Sequence, residues 1–161
     1  MKKTRFLNLK KWLICVSTAT LVLSAISCSE DEKDTEPVIE PFYGKYSGGW
    51  WSNAANGSVY ENIGASAIID VGTGARWTGE FFYTRNYRSC CGNSTNDGTI
   101  SFNLVDSVIT SFRYSGTVPN CNGSFQGEGV VTPAGSIEIV FTGSDCEGEH
   151  EGGMIKLFKV N

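Results

Sequence analysis

The spacing of its turns constrains this chain more than anything else in it. After residue 40 no window keeps a 3.6-residue apolar period, whereas short runs of alternating apolar and polar residues, rich in β-branched and aromatic types, recur to the end. These runs predict strands at 43–52, 60–71, 75–86, 98–105, 108–118, 123–132, 136–145 and 152–160. "GTG" at 72–74, Asp106-Ser107 and "PAG" at 133–135 carry the residue chemistry of tight hairpin turns, while 53–59, 87–97, 119–122 and 146–151 are looser. Short and long connections therefore alternate. In an antiparallel meander every tight turn then falls at one end and every longer loop at the other. An all-β, closed, eight-stranded antiparallel up-and-down barrel satisfies this pattern and leaves no free edge; a two-sheet β-sandwich is the alternative. All nineteen glycines lie within residues 41–161, so 19 of 121 residues are glycine. The usual share is about 7 %, and the excess suits turns and close packing.

The segment before this region has a different character. Lys2, Lys3, Arg5, Lys10 and Lys11 precede the apolar run "WLICVSTATLVLSAIS", which ends at Cys28. Basic, apolar and small-residue parts in that order are those of a secretory signal, and the run is shorter than the roughly 20 residues a membrane span needs. Ala25-Ile26-Ser27-Cys28 resembles the lipobox of bacterial lipoproteins, with Ala25 where a large aliphatic is usual. The resemblance implies removal of residues 1–27 and lipidation of Cys28. The following "CSEDEKDTEP" is similar to the acidic tether of surface lipoproteins of the Bacteroidota, which implies export to the outer face of the outer membrane. It also suits a solvated spacer over residues 28–40. The barrel domain then occupies 41–161.

Processing changes the charge balance. Residues 1–27 hold five of the thirteen bases and none of the seventeen acids, so the 134 residues from Cys28 onward keep eight bases against seventeen acids, a net charge of −9. A surface so acidic excludes nucleic acid as a partner class.

Apart from Cys15 and Cys28 the cysteines are Cys90, Cys91, Cys121 and Cys146, all in or beside the longer connections at one end of the meander. Exported thiols gathered in one place predict disulfides. A zinc site is the competing use, but adjacent cysteines lack the C-x₂₋₄-C spacing of a zinc knuckle. If Gly135 makes a bulged turn, facing residues of the sixth and seventh strands have numbers summing to 268. Gly127 then faces Phe141, and Cys121 and Cys146 point to opposite faces, each free to take one of Cys90 and Cys91. A sum of 267 would instead set Cys121 opposite Cys146 and leave Cys90 to bond Cys91. The first arrangement is the one expected here.

At "FYGKYS", Gly44 and Tyr46 resemble the Gly-x-Trp motif on the first strand of lipocalins, with Tyr for Trp. The resemblance covers about ten residues and the eight-strand plan. It implies a lipocalin-like or calycin-like barrel whose first strand closes the floor. The helix that lipocalins place after the eighth strand is not found in the sequence up to Asn161, and the biotin-site pattern of the avidins is absent.

Chemistry is sparse by comparison. "DCEGEHEGG" at 145–153 holds the single histidine, His150, among Asp145, Glu147, Glu149 and Glu151, but in an extended strand the three glutamates share a face that His150 does not. A solvated acidic loop is the expectation, with no metal and no cofactor. No G-x-S-x-G occurs and one histidine must serve every serine, so no catalytic residue is assigned and no enzyme expected. Binding remains. An apolar ligand entering at the looped end would meet Tyr46, Trp77, Phe81, Phe102 and Phe125. A surface module for a glycan or a protein partner would instead use Trp50 and Trp51, one facing inward and one outward. Asp106-Ser107-Val108 also resembles the short O-glycosylation sequon of Bacteroidota, at a tight turn that would present it.

Cys28→Ala is expected to release the protein from the membrane or strand its precursor, read by fractionation and mass spectrometry. Membrane attachment with an unmodified Cys28 would contradict the lipid anchor.

Overall fold

Residues 42–92 and 94–161 are described by a computed structural model; the signal segment, Cys28 and the acidic tether lie outside the described residues. The alternating runs form β1 (Gly44–Ala54), β2 (Val59–Ile69), β3 (Arg76–Phe82), β4 (Gly98–Val105), β5 (Val108–Gly116), β6 (Ser124–Val131), β7 (Ile137–Asp145) and β8 (Gly148–Val160). Each pairs antiparallel with the next, and β1 pairs with β8, so the sheet closes into a barrel. The sandwich alternative is thereby excluded.

The turn chemistry acts as expected at one end. Asp106 and Ser107 both have positive φ, 48° and 66°, the backbone of a two-residue hairpin loop of the primed type. Gly135 sits at φ 78° in the β6–β7 turn. β6 and β7 pair with Gly127 opposite Phe141, Gly129 opposite Ile139 and Val131 opposite Ile137, so facing numbers do sum to 268. β1 begins and β8 ends at this same end, where Lys45 pairs with Val160 and Gly44 with Ile69.

Two connections differ from the sequence reading. β3 ends at Phe82 instead of 86, so the connection to β4 runs from 83 to 97. β8 starts at Gly148 instead of 152, and only Cys146 and Glu147 separate it from β7. Gly148, Gly152 and Gly153 give the segment the composition of a loop, yet Gly152 is a bulge at φ 60° inside β8. Comparable bulges interrupt β2 between Tyr60 and Ile63 and β5 between Thr110 and Arg113, and Asn62 and Ser111 there also take positive φ. Each bulge inserts one residue and reverses which parity faces inward. In β8, Gly153, Ile155 and Leu157 are buried below the bulge, and His150 is buried above it.

The barrel interior is filled. Ile69, Phe81, Ile100, Phe102, Phe112 and Leu157 leave a void of only about 10 Å³ among them, the least volume that admits one water, about 10–15 Å³. The end with the tight turns is closed by Phe42, whose ring lies 4.9 Å from Trp77 and 6.0 Å from Phe102. Tyr46 donates its hydroxyl to the Phe42 carbonyl at 2.6 Å.

A Cβ at Gly127 would lie 2.1 Å from the Val140 carbonyl oxygen, a backbone atom that cannot turn aside, whereas one at Gly135 meets nothing within 4 Å. Gly127→Ala should cost about 2–3 kcal/mol in urea unfolding. Gly135→Ala should cost only about 1 kcal/mol, through its positive φ. Equal costs would contradict the close β6–β7 approach.

Candidate binding site at the barrel mouth

At the looped end the filling stops and a cup of about 360 Å³ opens. Its walls carry Trp50 from β1, Tyr60 from β2, Tyr114 from β5 and His150 from β8, and Tyr83 just beyond β3. Asp145 and Glu147 stand at the β7–β8 turn, and both disulfides border the rim.

Trp50 forms the base. It is 2 % exposed, with ring centroids of Phe141 at 4.1 Å, Phe125 at 5.1 Å and Tyr83 at 5.4 Å. Its indole N–H donates to Ser52 Oγ at 2.9 Å, and Ser52 Oγ lies 2.9 Å from His150 Nδ1. His150 Nε2 lies 3.1 Å from Asp145 Oδ1. Indole is a donor only and carboxylate an acceptor only. The chain is therefore satisfied when Ser52 donates to Nδ1 and His150 donates from Nε2 to Asp145. The ring of His150 also stacks on Tyr60 at 5.9 Å and 17°. Tyr60 in turn donates to Glu147 Oε2.

Ser52, His150 and Asp145 thus form a serine–histidine–acid chain. Its chemistry is positional: Ser52 is 3 % exposed, accepts the Trp50 N–H and is not part of the cup wall. One ligand atom from each of Asp145, Glu147 and His150 falls within 4.8 Å of the others, a set that could hold a divalent cation. Such an ion would have to displace the His150–Asp145 contact. Cys121, Asp145 and Cys146 also cluster, but both thiols are spent in a disulfide.

The phenols register the surroundings. Burial, then the hydrogen bond to Glu147 and its charge, push Tyr60 up to about 12. Burial raises Tyr83 well above the usual phenol range, aided by Tyr114, Asp145 and Asp97; Tyr114 is also raised, by burial first and then by the charges of Asp97 and Asp145.

The disulfides correct the sequence expectation. Cys121 bonds Cys146, and Cys90 bonds its neighbour Cys91. The register expected to prevent this is present, but Cys121 lies outside β6, in a reversal where its N–H donates to Val118 O at 2.9 Å and Asn120 takes φ 62°. Cys146 lies in the turn after β7. Parity counted along a ladder does not extend past its ends, so the expected clamp from Cys90 and Cys91 to the far loops is absent. The 83–97 connection is held instead by Asp97, 1 % exposed, whose carboxylate accepts from Tyr83 N, Ser89 Oγ and Cys90 N at 2.7–3.0 Å.

Of the expected ligand-binding residues, Trp50 reaches the cup. Phe81 and Phe125 pack beneath it, and Tyr46, Trp77 and Phe102 belong to the opposite end. These five do not line a hollow interior, because they fill it. Trp51 is on the outer face, half-buried against Gly49. The acidic "DCEGEHEGG" loop is corrected as well: Glu149 and Glu151 are exposed, but Asp145, Glu147 and His150 converge on the cup. Tyr60, Tyr83 and Tyr114 were missed. Carrying alternation two residues up from Phe81 and from Phe112 would have found Tyr83 and Tyr114; Tyr60 was hidden by the β2 bulge. A broader hollow of about 470 Å³, bounded by Arg113, Gln126, Glu128 and Thr142, is an open dip in the outer wall.

No family model, curated protein or solved structure matches this chain.

Non-reducing peptide mapping is expected to recover one long-range link, Cys121 to Cys146. Removing it with Cys121→Ser and Cys146→Ser, which opens a connection of 25 residues, should cost about 3 kcal/mol in urea unfolding. Links from Cys90 or Cys91 to the distant cysteines would contradict this rim.

Proposed function

We propose that this chain is an exported lipoprotein, held at the outer membrane through Cys28 with its barrel at the cell surface, that binds a small, mainly apolar ligand in the cup at the barrel mouth. The observation that carries the reading is a cup of about 360 Å³ with aromatic walls above a filled core. That volume is within the range of small-molecule sites, about 300–1,000 Å³. The walls are preorganised, since Trp50 is fixed through Ser52 and His150, and the rim loops are fixed by Asp97 and the Cys121–Cys146 bond. Such order lowers the entropy lost on binding. β1 begins at the closed end and the cup lies at the opposite one, an arrangement that suits anchorage through the segment preceding β1. The alternative surface module for a glycan or protein gains no support from Trp51, which packs on Gly49.

The neutral fluorophore N-phenyl-1-naphthylamine tests this with the full chain in lipid nanodiscs, empty nanodiscs serving as reference. Saturable binding at one site is expected. Val118→Trp, which puts an indole into the cup from its rim, should weaken it at least about tenfold. Absence of saturable binding, or binding unchanged by Val118→Trp, would overturn the reading.

A further inference from the structure

Resting on that reading of the cup, we infer that its ligand carries a positive charge: the aromatic walls and the Asp145–Glu147 pair form a receptor for an organic ammonium group on a small apolar body. Four electron-rich rings, Trp50, Tyr60, Tyr83 and Tyr114, border one space together with two half-buried carboxylates. Among the described residues no lysine or arginine lines it. Both ring nitrogens of His150 are engaged within the wall, Nδ1 with Ser52 Oγ and Nε2 with Asp145 Oδ1. An alkylammonium gains from both features at once, from the negative faces of the rings and from the carboxylates. A neutral ligand of the same shape gains from neither, and an anion is opposed by both.

Two further observations agree. The internal hydrogen bonds employ Oδ1 of Asp145 and Oε2 of Glu147, one oxygen of each carboxylate. Burial first, and after it the charges of Asp145 and Asp97, raise Tyr83 and Tyr114 above the usual phenol range, the direction expected of neutral rings standing near carboxylates. A metal ion is the less fitting cation. It would need the Nε2 lone pair of His150, and Ser52 Oγ would then accept from both Trp50 and His150 and lose the acceptor of its own proton. An ammonium group leaves the Trp50–Ser52–His150–Asp145 chain intact.

The experiment compares three solutes of one shape, choline, its neutral isostere 3,3-dimethyl-1-butanol and the anion 3,3-dimethylbutanoate, as competitors of N-phenyl-1-naphthylamine on the full chain in nanodiscs. Choline should displace the probe at concentrations at least about tenfold below the neutral alcohol, with the anion weakest. Glu147→Gln keeps an acceptor for Tyr60 and should reduce the choline preference to within about threefold. Glu149→Gln removes the same charge from an exposed neighbouring position and should leave the preference in place, separating local contact from net charge. If the alcohol competes as well as choline, if choline fails to displace a bound probe, or if Glu147→Gln leaves the preference unchanged, the charge assignment is overturned while the cup stands. If the probe itself does not bind, both fall.

Discussion

The ladder between β1 and β8 is the contact on which the rest of this molecule depends. Every other strand pair is joined by a connection that helps to bring it together; this one links residues from opposite ends of the described chain, from Lys45 with Val160 to Ala54 with His150. Its closure removes the last free edges. It also joins Ser52 to His150 across 98 positions of sequence, and through them fixes the indole at the base of the cup. An open sheet with the same strands would have neither a base nor a mouth.

Within that ladder the bulge at Gly152 decides the chemistry of the mouth. Counted upward from Ile155 without interruption, alternation would send Glu151 and Glu149 inward and His150 outward. The extra residue reverses this, so that His150 is 3 % exposed and the two glutamates face solvent. A residue at φ 60° costs little when it is glycine, and glycine stands there. The bulge at Asn62 does the same for Tyr60, in a conformation that asparagine tolerates better than most residues. Tyr60 and His150 stack as a result, and Glu147, lying in the turn and free of either parity, reaches the Tyr60 hydroxyl.

These bulges also mark the limit of what the sequence discloses. The eight strands, the tight Asp106-Ser107 turn and the β6–β7 register were legible, because they depend on local turn chemistry and on period-two burial over uninterrupted stretches, whereas the alternation of tight and longer connections fails at β7–β8, which only Cys146 and Glu147 join. Gly127 opposite Phe141 follows from Gly135 alone. The start of β8, the inward turn of His150 and the Cys121–Cys146 bond were not, for one shared reason. Each lies where a bulge or a strand end interrupts the count, and a single inserted residue reverses every side-chain direction beyond it. Glycines at 148, 152 and 153 read as loop residues when taken by composition, yet in place they are what lets β8 continue.

The division of the barrel into a filled lower part and an open mouth has its own physical origin. Below, the inward positions alternate large aromatics with residues that bring backbone close, as where Phe141 covers Gly153 and Phe125 covers Gly143, so little space is left. Above, the inward positions become Asp145, His150, Tyr60 and Tyr83, which cannot be packed against hydrocarbon without partners for their polar atoms. Along one side of the wall Tyr60 is satisfied by Glu147 and His150 by Ser52 and Asp145, and side chains so engaged are held at the perimeter instead of collapsing toward the axis. The cup thus remains open because its polar side chains are already engaged with one another. The same engagement leaves its acidic and aromatic character facing whatever enters.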